Sequence, residues 1–258
     1  MIELIGICSL FIGTGLLAGL LADILDIDVG FIVAPVLYLS SPLMGYSDAF
    51  GLKVAIATSL LVVTVTSIRA MLAHIKQGNI LLDKIVPLAS SAALGAIIGA
   101  QVAGIVAVAF IKPLWSLLLV VVAMRLLWAV APRTITYVLG RFMSSMVGLV
   151  VGAVAASVGI SGSVLSVPYF RAQGLSHKQA LGGAAVLGVF IALAGVMGYM
   201  FPAIPVEIVS HNTTDVFLLG YVHTLGAACI MVRVVIAPRI FFSVLFPSVL
   251  TPMDLWVL

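Results

Sequence analysis

The chain has 258 residues, of which 63% are apolar and 8% charged, with a net charge of +3. A soluble domain carries about 25% charged residues, so this composition excludes a water-soluble globule and makes lipid the solvent for most of the surface. The twelve Lys and Arg are scattered without a basic cluster, which excludes nucleic acid as a partner. The predicted fold class is an all-α integral membrane protein, a single membrane domain in a cell (inner) membrane.

Apolar runs separated by polar or Pro/Gly breaks fall at about 2–22, 29–44, 52–73, 85–108, 113–131, 135–158, 162–176, 178–200, 214–236 and 239–251. The first carries no basic region and no clear small-residue cleavage site, and is read as a retained span. A crossing needs about 20 apolar residues. The runs at 29–44 and 162–176 are short and are read as broken by Pro35 and Pro168. Cys8 and Cys229 each sit in an apolar run and read as small fillers rather than a disulfide. No zinc spacing occurs, and no metal or cofactor is expected. The sequon at Asn212 carries no expectation.

The order of these runs repeats. Gly15-Leu16-Leu17-Ala18-Gly19 aligns with Gly148-Leu149-Val150-Val151-Gly152, and the same offset places Ile27 on Ile160 and Pro35 on Pro168. Each proline is followed by a short polar stretch, Gly45-Tyr46-Ser47-Asp48 or Gly174-Leu175-Ser176-His177, and then an Ala-rich helix. An ordered series of matches marks an internal repeat, with halves at 1–132 and 133–258. Paired, interrupted short segments at matched positions point to a transporter's binding site. The physical reason is that broken helices free backbone N–H and C=O groups, which survive in a membrane only inside protein or beside water.

Charge placement chooses between eight and ten segments. If the two short segments merely dip in and return, there are eight crossings and cations divide four against six. If both short segments cross, there are ten spans, and Lys76, Lys84, Arg133, Arg141, Arg171, Lys178, Arg233 and Arg239 share one side and only Lys53 and Lys112 the other. The second pattern is what the positive-inside rule favours. It gives each half five segments, makes the repeats inverted and puts both termini outside.

The same residues resemble the sulfite exporter TauE/SafE family, also called the toluene sulfonate uptake permease group. The resemblance rests on Gly159-Ile160-Ser161-Gly162-Ser163 with Val167-Pro168, on Ala55-Ile56-Ala57-Thr58-Ser59, Thr66-Ser67 and His74-Ile75-Lys76-Gln77-Gly78-Asn79, and on Leu219-Gly220-Tyr221. It covers about residues 10–230. Departures are Asp26-Ile27-Asp28-Val29-Gly30, with carboxylates where the family has small residues, and Gly183-Ala184 where Thr-Ser is expected. The resemblance implies a secondary transporter, an exporter of small sulfur-containing anions such as sulfite, thiosulfate or organosulfonates, and no enzyme.

Candidate site residues follow. In the turn Gly159, Ser161, Gly162 and Ser163, and at the matched Gly30, freed N–H groups at a half-helix start attract an anion. The alternative is a break that only permits tight packing. Pro35 and Pro168 belong to the same segments. Thr58 and Ser59 offer hydroxyls to an oxyanion and match the family motif, whereas Thr64, Thr66 and Ser67 read as helix packing. Asp26 and Asp28, with Asp23 a turn earlier, either sit at the cytoplasmic interface or form a proton-coupling pair at depth. Arg69, and His74 one turn later, are candidate charge partners for the anion, or Arg69 snorkels to the surface. Arg125 is similar, and Tyr221 and His223 read as packing. The rival classes are an intramembrane serine-type enzyme pairing Ser161 or Ser163 with His74 or His223, a substrate-free membrane scaffold, and a passive channel.

Overall fold

The computed structural model describes residues 2–25, 28–128, 140–201, 218–219, 221–223 and 230. Within them eight α-helices follow one another: α1 (Ile2–Leu25), α2 (Gly30–Ser40), α3 (Asp48–Lys76), α4 (Leu82–Ile105), α5 (Val108–Trp128), α6 (Arg141–Val158), α7 (Ser163–Ala172) and α8 (His177–Met200). A 3-10 turn (Ser41–Met44) extends α2. Beyond α8, β1 (Leu218–Leu219) and β2 (Val222–His223) pair antiparallel. Among the described residues, four helical stretches are long and apolar enough to cross a membrane: Asp48–Lys76, Ile85–Ile105, Arg141–Val158 and His177–Met200. The chain is thus a multi-pass membrane protein, as its composition predicts. The expectations for Asp26, Asn212 and Cys229, and those for the side chains of Cys8, Asp23, Arg125 and His223, lie outside the described residues.

The matched polar stretches fold alike. Gly45 and Gly174 both take left-handed backbone, at φ 76° and 82°, which costs glycine little. Two residues later Ser47 caps α3 by accepting the Phe50 N–H, and Ser176 caps α8 by accepting the Gln179 N–H while the Gln179 side chain takes the Ser176 N–H. Each cap satisfies a donor that the first helical turn would leave open. The spacing between matched residues is 133 from Asp28 to Ser161 and 129 from Gly45 to Gly174, and the missing four residues are the length of the 3-10 turn present only after α2.

The prolines do not make the breaks, which corrects the sequence reading. Pro35 lies inside α2 and Pro168 inside α7. The helices stop earlier, before residue 28 and at 159–162. There Gly159 (φ 85°) ends α6 and Gly162 (φ 76°) precedes α7. Glycine, not proline, supplies the reversal, because two left-handed residues in four are open only to it at low cost.

Glycines also set the packing. On α4 and α6, a Cβ added at Gly95 would meet the Leu149 backbone, at Gly99 the Ala153 backbone, at Gly148 the Ser91 side chain and Leu88 backbone, and at Gly152 the Ala92 backbone. The two helices therefore run parallel in close backbone contact, the small-residue packing used where lipid offers no hydrophobic drive. Between α3 and α8 the neighbours are Gly182 with His74 and Asn79, Gly188 with Ser67, and Gly195 with Leu60. As one number rises the other falls, so α3 and α8 are antiparallel. That direction is the one the ten-span charge pattern requires, and it disagrees with eight crossings, which would make them parallel.

This packing is open to two tests. Gly152→Leu should destabilise the purified protein in thermal unfolding by about 1–3 kcal/mol or more, whereas Gly13→Leu, whose Cβ meets nothing within 4 Å, should leave it unchanged. In a cysteine-free background, Gln77→Cys in the exposed α3–α4 turn and His177→Cys at the exposed start of α8 should both be labelled by an impermeant thiol reagent from the cytoplasmic face alone. Labelling from opposite faces would overturn the antiparallel arrangement of α3 and α8.

Candidate functional site

The two breaks meet. α2 starts beside α3, where a Cβ on Gly30 would strike the Gly159 carbonyl and reach 3.0 Å from Val63 Cγ2. From the same place α2 runs antiparallel to α3, bringing Gly51 against Ser41 at its far end. In the second half Tyr169 of α7 donates to Ser144 Oγ near the start of α6, at 2.7 Å, so α6 and α7 form a hairpin that returns to its own side. The tips of the two turns touch against residues 56–67, the middle of α3. Each therefore turns back within the bundle rather than at the far surface, which corrects the expectation that the two short segments cross on their own.

Four contacts define the crossing. Ser161 N–H donates to Asp28 Oδ2, and the Ser161 hydroxyl lies against the same carboxylate. Gly30 N–H donates to Asp28 Oδ1 at 3.2 Å. Ser59 Oγ donates to the Gly159 carbonyl at 3.0 Å. Ser163 N–H donates to Ser161 Oγ at 3.3 Å. Thus freed backbone groups of both breaks find partners within the crossing, as burial away from water requires. Asp28 is half-buried, and Ser59 and Ser161 are buried.

Of the sequence-predicted residues, the fold gathers Asp28, Gly30, Ser59, Gly159, Ser161, Gly162 and Ser163 at this place. Gly162 packs on Ile191, Ala155 and Val151. Thr58, fully buried, faces the other way and lines a cavity of about 10 Å³ with Phe11, Leu37, Ser41, Met44 and Val54, room for about one water. Pro35 and Pro168 lie five residues beyond the helix starts. Arg69 is half-buried ten residues beyond Ser59 on α3, about 15 Å along the axis. His74 is near the end of α3, with its Cβ 3.4 Å from where a Cβ on Gly182 would stand; it lies about 10 Å along the axis beyond Ser67, so no Ser161–His74 pair forms.

The structure adds Gly188 and reassigns Ser67. A Cβ on Gly188 would stand 2.9 Å from Ser67 Oγ and 3.0 Å from Ser161 Cβ, so the two serines are no farther apart than those distances together. Ser67 is buried. The sequence signal is Gly188 and Gly195 seven apart, which places both on one helix face toward α3.

The arrangement turns backbone N–H donors of both breaks toward one carboxylate. No cluster of His, Cys, Asp and Glu that could hold a metal exists among the described residues.

Comparison with known proteins agrees with this architecture. The chain is 26% identical over 187 residues to a probable membrane transporter protein of Haemophilus influenzae, covering 72% of this chain and 71% of that protein. It is 24% identical over 248 residues to a probable membrane transporter protein of Methanocaldococcus jannaschii, covering 93% and 85%. No solved structure matches. The family model of the sulfite exporter TauE/SafE matches residues 11–251. A match over nearly the whole length, on a helical bundle with two interrupted hairpins, places the chain among membrane transporters and not enzymes: it belongs to the sulfite exporter TauE/SafE family.

Proposed function

We propose that this protein is a proton-coupled, alternating-access exporter of small sulfur-containing anions, built from two inverted five-segment halves. The observation that carries the reading is the crossing of the two breaks. Backbone N–H groups from both halves converge there on one carboxylate, between described stretches that supply hydroxyls and no cation. Such donors suit an oxyanion, because a half-helix start presents N–H groups and positive partial charge together. Ser59, Ser161, Ser163 and the backbone of 159–163 with Gly30 would hold the anion. Thr58 would stabilise the wall behind them, and Asp28, with Asp26 beside it in sequence, would carry the proton. The substrate class of sulfite, thiosulfate or an organosulfonate is supported by the family description. The antiparallel packing of α3 and α8 supports inversion of the halves.

The test is thermal unfolding of the purified full chain with sulfite, thiosulfate, taurine, sulfoacetate and simple carboxylates from pH 5 to 8. A ligand at a hundred times its dissociation constant should stabilise by about 2.7 kcal/mol. The expected result is stabilisation by at least one sulfur oxyanion, stronger at low pH, with carboxylates inert. No stabilisation by any sulfur anion at any pH would overturn the reading.

A further inference from the structure

Asp28 is itself an anion seated at the crossing. Its two carboxylate oxygens take the N–H of Gly30, in its own half, and of Ser161, in the other half. Among the described residues no cation is placed to neutralise it. The stretches that wall the crossing, residues 56–67 of α3, 155–166 from α6 into α7 and 183–195 of α8, contain no Asp, Glu, Lys, Arg, His, Tyr or Cys. The nearest ionisable groups along those elements are Lys53 and Arg69 on α3, Arg141 and Tyr169 on α6 and α7, and Lys178 and Tyr199 on α8; Tyr38 stands on α2, and Asp23 and Asp26 share Asp28's own stretch. Among the described residues the carboxylate is thus held by dipoles and hydrogen bonds alone, which is how an oxyanion site holds its ligand.

A second anion cannot take the Ser161 N–H while Asp28 holds it, and two like charges at contact disfavour one another strongly. Resting on the transport reading, we propose that Asp28 is a tethered competitor for the substrate: its ionised carboxylate fills the oxyanion position at Ser161, and the substrate enters only as Asp28 takes up a proton and yields the site. The neutral carboxyl then has an O–H to donate to the incoming oxygen. Ser67 stands next to this position. It is buried and lies across Gly188 from Ser161, and its hydroxyl is not among the groups that bond Asp28. A tetrahedral sulfur oxyanion has more acceptor oxygens than a carboxylate and can engage both serines. Each anion bound therefore brings one proton with it, and a monovalent anion binds electroneutrally.

The experiment is calorimetric titration of the full-length protein with thiosulfate and with methanesulfonate, whose charges do not change between pH 5 and 8. The wild type should lose affinity about tenfold per pH unit over the range where Asp28 ionises. Asp28→Asn should bind at pH 8 at least as tightly as the wild type at pH 5, with no pH dependence. Ser67→Ala should weaken binding several-fold and keep the wild-type pH slope. Proton uptake, measured on the wild type in weak buffer, needs no variant and should give one proton per anion. Equal pH slopes in wild type and Asp28→Asn, or no proton uptake on binding, would overturn the competitor role while the transport reading stands. Failure of both anions, and of sulfite, to bind either protein at any pH would overturn the transport reading itself.

Discussion

A lipid-embedded chain has no water with which to repair a broken backbone, and the rest of this structure depends on how two breaks repair each other. Interrupting α6 at Gly159 and opening the chain before α2 frees amide and carbonyl groups inside the bundle. They find partners across the crossing: Ser161 N–H on Asp28, Gly30 N–H on the same carboxylate, the Gly159 carbonyl on Ser59. Neither hairpin tip would be tolerable alone, since an unpaired buried backbone group costs as much as a lost hydrogen bond. The close approach of Gly30 to the Gly159 carbonyl is the steric side of the same constraint. A side chain at either position would separate the donors from their acceptors.

The crossing needs a frame that does not yield. Glycine supplies it twice, by lock-in of α4 on α6 through Gly95, Gly99, Gly148 and Gly152, and of α8 on α3 through Gly182, Gly188 and Gly195. Close backbone contact replaces the hydrophobic drive that lipid cannot give. These contacts also explain the outward surface. Large apolar side chains such as Leu94, Ile98, Val150, Phe190 and Met197 are exposed on the same helices whose glycines are buried, as helices facing protein on one side and acyl chains on the other require.

How much of this is legible in the residues depends on range. Composition alone points to the membrane, and the ordered matches around Gly15 and Gly148 point to the repeat. The offset that aligns Ile27 with Ile160 is the separation of Asp28 and Ser161, the pair that touches. A repeat offset fixes which positions correspond, but not that they come into contact, because contact depends on how the halves face one another. Pro35 and Pro168 read as breaks because proline cannot donate in a helix. Both lie inside helices in the structure, and left-handed glycines make the second reversal. In the sequence Ser67 is one hydroxyl among five on α3; only the position of Gly188 distinguishes it. Arg69 and His74 share a helix with Ser59, yet the Asp28 carboxylate is bonded by Ser161 and Gly30 and by neither of them.

The ties that hold the hairpin margins differ in kind from those that hold the frame. Beside α2, Lys112 of α5 reaches both oxygens of Asp48 at 2.9 and 2.7 Å, Tyr38 donates to the same carboxylate, and the lysine lies 5.3 Å from the Tyr38 ring centre. Lys112 and Asp48 are exposed, at 39% and 65% of their side-chain surfaces, where ion pairs hold weakly and salt screens them. Beside α7 the tie is the hydroxyl bond from Tyr169 to Ser144, shared with Gln173. Neither resembles the backbone-to-backbone contact of α4 with α6. In the transport reading, access must alternate while the pocket walls keep their shape. A glycine-locked frame carrying two hairpins whose outer edges are held by a few polar ties divides the molecule along that line. The tips, joined through one carboxylate and two amides, are then where a change of charge is felt by both halves at once.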